Sequence, residues 1–435
     1  MRRAGAAAAR AASLPRLVVA VEPASDASDP LALLQACPTG HRFYWEQPSR
    51  GVAVAAIGAS VTLTASGRDR FARLSAALAD CPLPAGALAV GGFAFAPEAG
   101  EAEPWRGFPS LEWVVPQCAL VRRARRSHLV VTAVDGGDRQ LGALLARARA
   151  ALDRPRATGD PATAYHAAGS QPSSWRRAVD DTVADIAAGR LAKLVLARAV
   201  SVRAAAPFDA VRVAARLRRA YAGCTVFAVG RGESTFVGAS PERLARVRGN
   251  RLETAAVAGT APRGSTPRAD REIARALLAS PKERAEHAFV VDDVRDQLHP
   301  LCEALTVPPS PRVLTTETLQ HLHTPVRGRL RPGCGLLDAV GALHPTAAVC
   351  GVPRAAALAA LRGRERLGRG WYAGGVGWLD AVGGEVTVAL RCALLRGPHA
   401  LLHTGAGIVA GSAWDAELEE TRVKLRPLLG ALLEL

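Results

Sequence analysis

The sequence predicts an α+β fold with large, mainly antiparallel sheets and helices packed outside them. Strand-like and helix-like segments follow one another in mixed order, without the strict βα alternation that builds a parallel sheet. Gly249-Asn250 and Gly383-Gly384 stand between apolar strand-like runs, where tight hairpin turns belong. The 435 residues are 49% apolar and 22% charged, enough for a substantial core and unlike a disordered chain.

The elements read in order as follows. Residues 1–15 are basic and Ala-rich, and no acidic residue precedes Glu22. They are expected to be a disordered N-terminus, either a transit segment or a ragged start. The apolar run after Arg16 meets Glu22 too soon for a secretory signal. Residues 16–155 hold strands at 17–21, 51–57, 61–64, 86–95, 111–120 and 128–134, with helices at 70–78 and 141–152. Residues 156–172, rich in small residues and Pro, read as a linker. A helix follows at 174–188, with Val179, Val183 and Ile186 on one face and a stop at Gly189. Next come a strand at 191–202, a helix at 208–221, and strands at 225–229, 235–239, 244–247 and 252–258. Helices are expected at 268–278 and 283–305. Strands at 371–379, 385–395 and 400–404 form an antiparallel meander. A last helix starts near Trp414 and is disturbed at Pro427.

Composition narrows the function classes. The net charge is +16, but the Arg residues are scattered and aromatic residues are only 5%, so a stacking platform for nucleic acid is poorly supplied. No apolar stretch approaches the ~20 residues of a membrane-spanning helix. The eight Cys are widely spaced with no C-x-x-C pair, which points to free thiols in a reducing, cytoplasmic setting and away from a zinc ribbon. Only three of the 55 basic residues are Lys: Lys193, Lys282 and Lys424. Arg cannot lose its proton in a protein and Lys can, so these three positions stand out.

Several groups carry chemical potential. Glu283 and Glu286, and Glu417 and Glu420, are E-x-x-E pairs on two helices. Three-residue spacing puts each pair on one helical face, and two such faces opposed would make an oxygen-rich site suited to magnesium. The alternative is solvated helix charge, since Glu420 precedes Lys424 by four residues. Lys193 lies in an apolar strand, where burial disfavours the ammonium form and makes the amine a candidate base. Glu242 follows a strand end and is a candidate general acid, or else an exposed turn residue. Gly259-Thr260 and Gly405-Ala406-Gly407 end strands, where small residues let backbone N–H groups approach an anion. Arg391, placed within the 385–395 strand among apolar neighbours, needs an anionic partner: a substrate carboxylate or an internal one.

Eight segments then occur in a telling order: KLVLAR from Lys193, GASPERL from Gly238, AGTAPRG from Ala258, SPKERAEHAFVVDDV from Ser280, LQHLHTPVRG from Leu319, LHPTAAVCGVPR from Leu343, WYAGGVGWLD from Trp371 and TGAGIVAGS…ELEETRVKL from Thr404. This series, over about residues 172–430, resembles the chorismate-utilising enzymes and among them most the isochorismate synthases. FYWEQP, GGFAF and GFPSLEWVVP extend the resemblance more diffusely into the first half, toward the menaquinone-pathway type. The resemblance implies the anthranilate synthase component I-like fold, layered α/β, with 16–435 a single chorismate-binding domain. It implies Mg2+ held by Glu286 and Glu420, with Glu283 and Glu417 in or near the coordination shell. Lys193 would activate water for attack at C2, and Glu242 would protonate the departing C4 hydroxyl. Arg391, Tyr372, Thr260, Gly259, Gly405 and Gly407 would hold substrate carboxylates, with Lys424 nearby and His321 and Thr346 lining the pocket. The implied partner is chorismate alone, without nucleic acid or membrane, on a monomer or weak homo-oligomer. A salicylate synthase, which adds pyruvate elimination, is the alternative. Anthranilate and aminodeoxychorismate synthases are less similar, because they typically lack the Lys at position 193. Val257, Thr404 and Leu418 depart from the family's usual residues.

Overall fold

The computed structural model describes residues 16–433 apart from 38, 81, 99–102, 125, 136, 154–164, 170–171, 318 and 366–367. The expectation for residues 1–15 and most of the 156–172 linker lie outside the described residues. Within that linker, however, Tyr165–Gly169 is a strand paired with Lys193–Ala204.

Among the described residues the strands form two antiparallel sheets, of twelve and ten strands. Several strands of the larger sheet are buried on both faces, and their alternation shows what covers each. Phe43 and Trp45 of the strand Arg42–Gln47 join the core cluster between the sheets, whereas Tyr44 joins a second cluster on the far face. Phe227 and Val229 alternate with Val226 and Ala228 in the same way. Across the sheets, Trp45 meets Trp378 edge to face with ring centroids 6.2 Å apart. The far face is covered by helices that include Asp138–Leu152, Ala210–Ala220 and Trp414–Leu433. Helices including Pro281–Leu298 and Leu336–Leu343 pack on the smaller sheet. The fold class is the expected one.

Where the structure differs from the sequence reading, the chain often changes sheet. The 111–120 strand is two strands: Leu111–Val115 in the smaller sheet and Cys118–Arg123 in the larger. The 385–395 strand likewise divides into Gly383–Val388 and Cys392–Arg396, one in each sheet. Arg391 is therefore not inside a strand. It stands in the crossing with φ +47, a left-handed conformation uncommon for a residue with a side chain. Apolar periodicity runs on through such crossings, because both strands face the same inter-sheet core. The hairpin turn after Gly375–Asp380 is Ala381-Val382, and Gly383 opens the next strand. The helix expected to reach 305 ends at Leu298, and Cys302–Thr306 is a strand. The strands Arg42–Gln47 and Leu319–Leu330 and the helix Arg354–Arg364 escaped the periodicity reading. The terminal helix runs through Pro427 to Leu433.

Candidate active site

The crossings gather the chemistry at one place between the sheets. Ser234–Ser240 belongs to the larger sheet and Arg243–Arg248 to the smaller, so Glu242 sits at one crossing and Arg391 at another. The two crossings touch: Val388 donates its N–H to the Glu242 carbonyl, and Ala239 donates to the Arg391 carbonyl. Beside them lies a cavity of about 100 Å³. Twelve of the fifteen site residues expected from the sequence line it: Lys193, Glu242, Gly259, Thr260, Glu286, His321, Tyr372, Arg391, Gly405, Gly407, Glu420 and Lys424. Thr346, Glu283 and Glu417 do not. Thr346 is buried, its hydroxyl has no hydrogen-bond partner among the described residues, and the neighbouring Ala348 and Val349 line the wall instead.

Lys193 begins the strand Lys193–Ala204 and is 1% exposed. Its ammonium is not isolated, as burial alone suggested: Nζ donates to Glu286 Oε1 at 2.8 Å. The strand opposite explains the Gly-x-Gly pattern. Gly407 pairs with Val195, and a Cβ on it would lie 2.8 Å from Glu286 Oε1 and 3.1 Å from Lys193 Cε. A Cβ on Gly405 would lie 2.9 Å from the Tyr372 hydroxyl. These glycines stand within the strand His399–Ile408, where they make room for other side chains. Pairing with Cys392–Arg396 stops at His403, so beyond it one edge of the strand has no strand partner among the described residues.

Glu242 is 7% exposed, and burial pushes its carboxyl up to about 7 against the pull of Lys193, Arg391 and Lys424. No exposed turn carboxylate would behave so. The Arg391 guanidinium forms no ion pair among the described residues, and burial lowers its pKa. Gly259, at φ +78, marks a bulge inside the strand Arg251–Pro262. His321 Nδ1 lies 3.3 Å from the Gly259 carbonyl and 3.2 Å from the Thr260 hydroxyl, which fixes the ring against the bulge. Its Nε2 is buried and has no hydrogen-bond partner among the described residues. Burial drives this ring down to about 3, so it is neutral at physiological pH.

The helix Pro281–Leu298 starts at Ser280, whose hydroxyl caps the Glu283 N–H. In a capping box Glu283 would reach back to that cap. Here its Oε2 accepts the Thr260 N–H at 3.1 Å, tying helix to bulge. On Trp414–Leu433, Glu417 is buried and Glu420 reaches the cavity. Burial, reinforced by Glu286, raises the Glu283 carboxyl, and burial reinforced by Glu420 raises Glu417. Burial would also raise Glu286, but Lys193 holds it low. The donor set is entirely carboxylate oxygen, and its members repel one another, which suits a hard divalent cation. Among the described residues no three acidic, His or Cys side chains already form a metal cage. Three of the glutamates are instead turned to lysines: Glu286 to Lys193, Glu420 to Lys424 at 2.5 Å, and Glu417 to Lys282 at 3.6 Å.

Sequence reasoning missed His403, which lines the cavity and stacks on Tyr372 at 5.2 Å. It also missed Arg369, which clamps the Val195 and Val349 carbonyls of the wall and pairs with Glu365. Both signals lie in partners remote in the chain. Of the departures from family usage, Val257 and Thr404 line the cavity, whereas Leu418 is buried outside it.

A family model described as chorismate binding enzyme matches residues 4–433. The "Salicylate biosynthesis isochorismate synthase" of Pseudomonas aeruginosa is 37% identical over 408 residues, spanning 90% of this chain and 84% of that protein. "Isochorismate synthase MenF" of Bacillus subtilis is 30% identical over 415 residues, spanning 91% and 88%. Among solved structures, MenF, the menaquinone-specific isochorismate synthase from Escherichia coli, superposes with a TM-score of 0.82 at 29% identity, covering 96% of this chain and 95% of that one. Anthranilate synthase component I from Streptococcus pneumoniae, at 23% identity and a TM-score of 0.75, shares the fold.

Proposed function

Because this chain belongs to the chorismate binding enzyme family, we infer that it is an isochorismate synthase, an isomerase that adds water at C2 of chorismate and expels the C4 hydroxyl. The observation that carries the reading is the pairing of opposite proton-transfer groups on one cavity. Lys193 and Glu242 both line it, and Glu242 is poised near neutrality.

In this reading Lys193 takes a proton from the attacking water in its neutral form, so its ammonium must first give a proton to solvent and leave Glu286. The water oxygen bonds to C2, the ring double bond shifts, and the C4–O bond breaks. Glu242 supplies the proton with which the C4 hydroxyl departs as water. Burial serves that role, because a carboxyl at about 7 keeps its proton where an exposed one would have lost it. Arg391 binds a carboxylate of the dianion, in keeping with a guanidinium that forms no ion pair among the described residues. Thr260, Gly259, Tyr372, Gly405, Gly407 and Lys424 complete the anion contacts. His321 offers its buried Nε2 to a substrate hydroxyl, and Thr346 supports the wall. Glu286 and Glu420, with Glu283 and Glu417 beside them, would hold Mg2+, which supplies charge neutralisation for a substrate carboxylate.

We assign menaquinone biosynthesis in the cytoplasm as the setting, within a single domain over 16–435. No described helix is long and apolar enough to cross a membrane. The FYWEQ and LEWVV segments that suggested the menaquinone type are core strands, and none of their residues lines the cavity. They therefore bear on ancestry and not on product. Purified protein incubated with chorismate, with and without Mg2+, tests the function. Isochorismate formed only with the metal supports it. Salicylate with equimolar pyruvate would reassign the chain to the salicylate synthases, and unconverted chorismate would overturn the enzymatic reading.

A further inference from the structure

We propose that Lys282 is a displaceable counter-ion for the carboxylate cluster, a positioning residue that sets how tightly the site takes its divalent cation. This rests on the reading of the four glutamates as a metal site. The chain writes nearly every cation as Arg, yet each of its three Lys contacts one of those glutamates. Lys193 and Lys424 line the substrate cavity; Lys282 does not. Its side chain is 46% exposed, while its partner Glu417 is 5% exposed.

Local structure gives Lys282 no reason to be cationic. It follows Pro281 in the first turn of its helix, directly after the Ser280 cap. There the aligned peptide dipoles disfavour positive charge. The compensation comes from the other helix, since its ammonium lies 3.6 Å from Glu417 and its charge is also felt by Glu283 and Glu286. Three of the four carboxylates thus share this one cation.

The residue type matters. A guanidinium would grip the carboxylate with a two-pronged fork, whereas an ammonium is a single point charge on a flexible stem. At an exposed position that stem can swing into water when a stronger cation takes the carboxylate. Lys282 therefore keeps Glu417 neutralised while the metal is away and yields when it arrives. The cost is competition, because the metal must displace the ammonium and then tolerate it nearby.

The test uses the full chain without chorismate. Mn2+ binding is read from the free-ion electron paramagnetic resonance signal, with Mg2+ as competitor, for wild type, Lys282→Met and Lys282→Arg. Lys282→Met should bind Mn2+ about three- to fivefold tighter, the advantage shrinking as salt screens the charges. Lys282→Arg, which keeps the charge and strengthens the grip, should bind no tighter than wild type. Unchanged or weaker affinity in Lys282→Met overturns the proposal while leaving the metal site intact. Wild-type protein that binds neither ion overturns the metal reading and this one with it.

Discussion

Replacing Glu242 by Gln should inactivate the enzyme and stabilise it, and the second effect can be sized from the structure. Folding raises this carboxyl from 4.5 to about 7 through burial. Between those values the folded protein holds a proton that the unfolded chain has released, so stability falls as pH rises through the window. Above it the full cost is present, about 3 kcal/mol for a shift of this size. Gln keeps the shape of the protonated acid and cannot ionise. Glu242→Gln should therefore be more stable than wild type by about 3 kcal/mol at about pH 8, the gap shrinking below about 1 kcal/mol near pH 5. Urea unfolding of both metal-free proteins at the two pH values measures this, and titrations common to both cancel in the difference. A gap that is absent at high pH, or that does not change with pH, would refute the idea that burial holds this carboxyl protonated. The same shift requires wild-type turnover to decline as pH rises through about 7, where the acid loses its proton.

Other outcomes follow from the same geometry. Lys193→Arg keeps the charge but cannot serve as a base, and should lose about 100-fold or more in turnover; near-normal rates would remove Lys193 from the chemistry. Gly407→Ala puts a methyl group 2.8 Å from Glu286 Oε1 and should cut turnover about 100-fold by displacing the Lys193–Glu286 pair, with little loss of fold by circular dichroism. Glu420→Ala should weaken Mg2+ binding about tenfold or more, measured by metal titration; unchanged affinity would take Glu420 out of the site.

The motifs made much of the site legible before any fold was known. Lys193, Glu242 and Arg391 each looked anomalous for local reasons, and the E-x-x-E spacing marked both acidic helices. What spacing could not supply was the partner of each group. Lys193 was read as a lone buried amine because Glu286 lies 93 positions away along the chain. His403 went unnoticed because its meaning lies in its stacking on the Tyr372 ring at the cavity wall. Gly405 and Gly407 read from the sequence as anion-binding backbone alone, and the structure adds that the space they leave is used by Tyr372, Lys193 and Glu286.

The sequence by itself determined the strand and helix character of most segments, because period-two and helical patterns are local consequences of which side chains must be buried. It also determined the chemical inventory: three lysines, paired glutamates and glycine-rich strand segments. Only the tertiary structure decided where the chain passes from one sheet to the other. Both strands of a crossing face the same core, so apolar patterning continues across 111–120 and 385–395 without a break. Two such crossings, between Ser240 and Arg243 and between Val388 and Cys392, position Glu242 and Arg391. Their placement opposite Lys193 is a product of two sheets packing face to face, a long-range arrangement that no local window of sequence encodes.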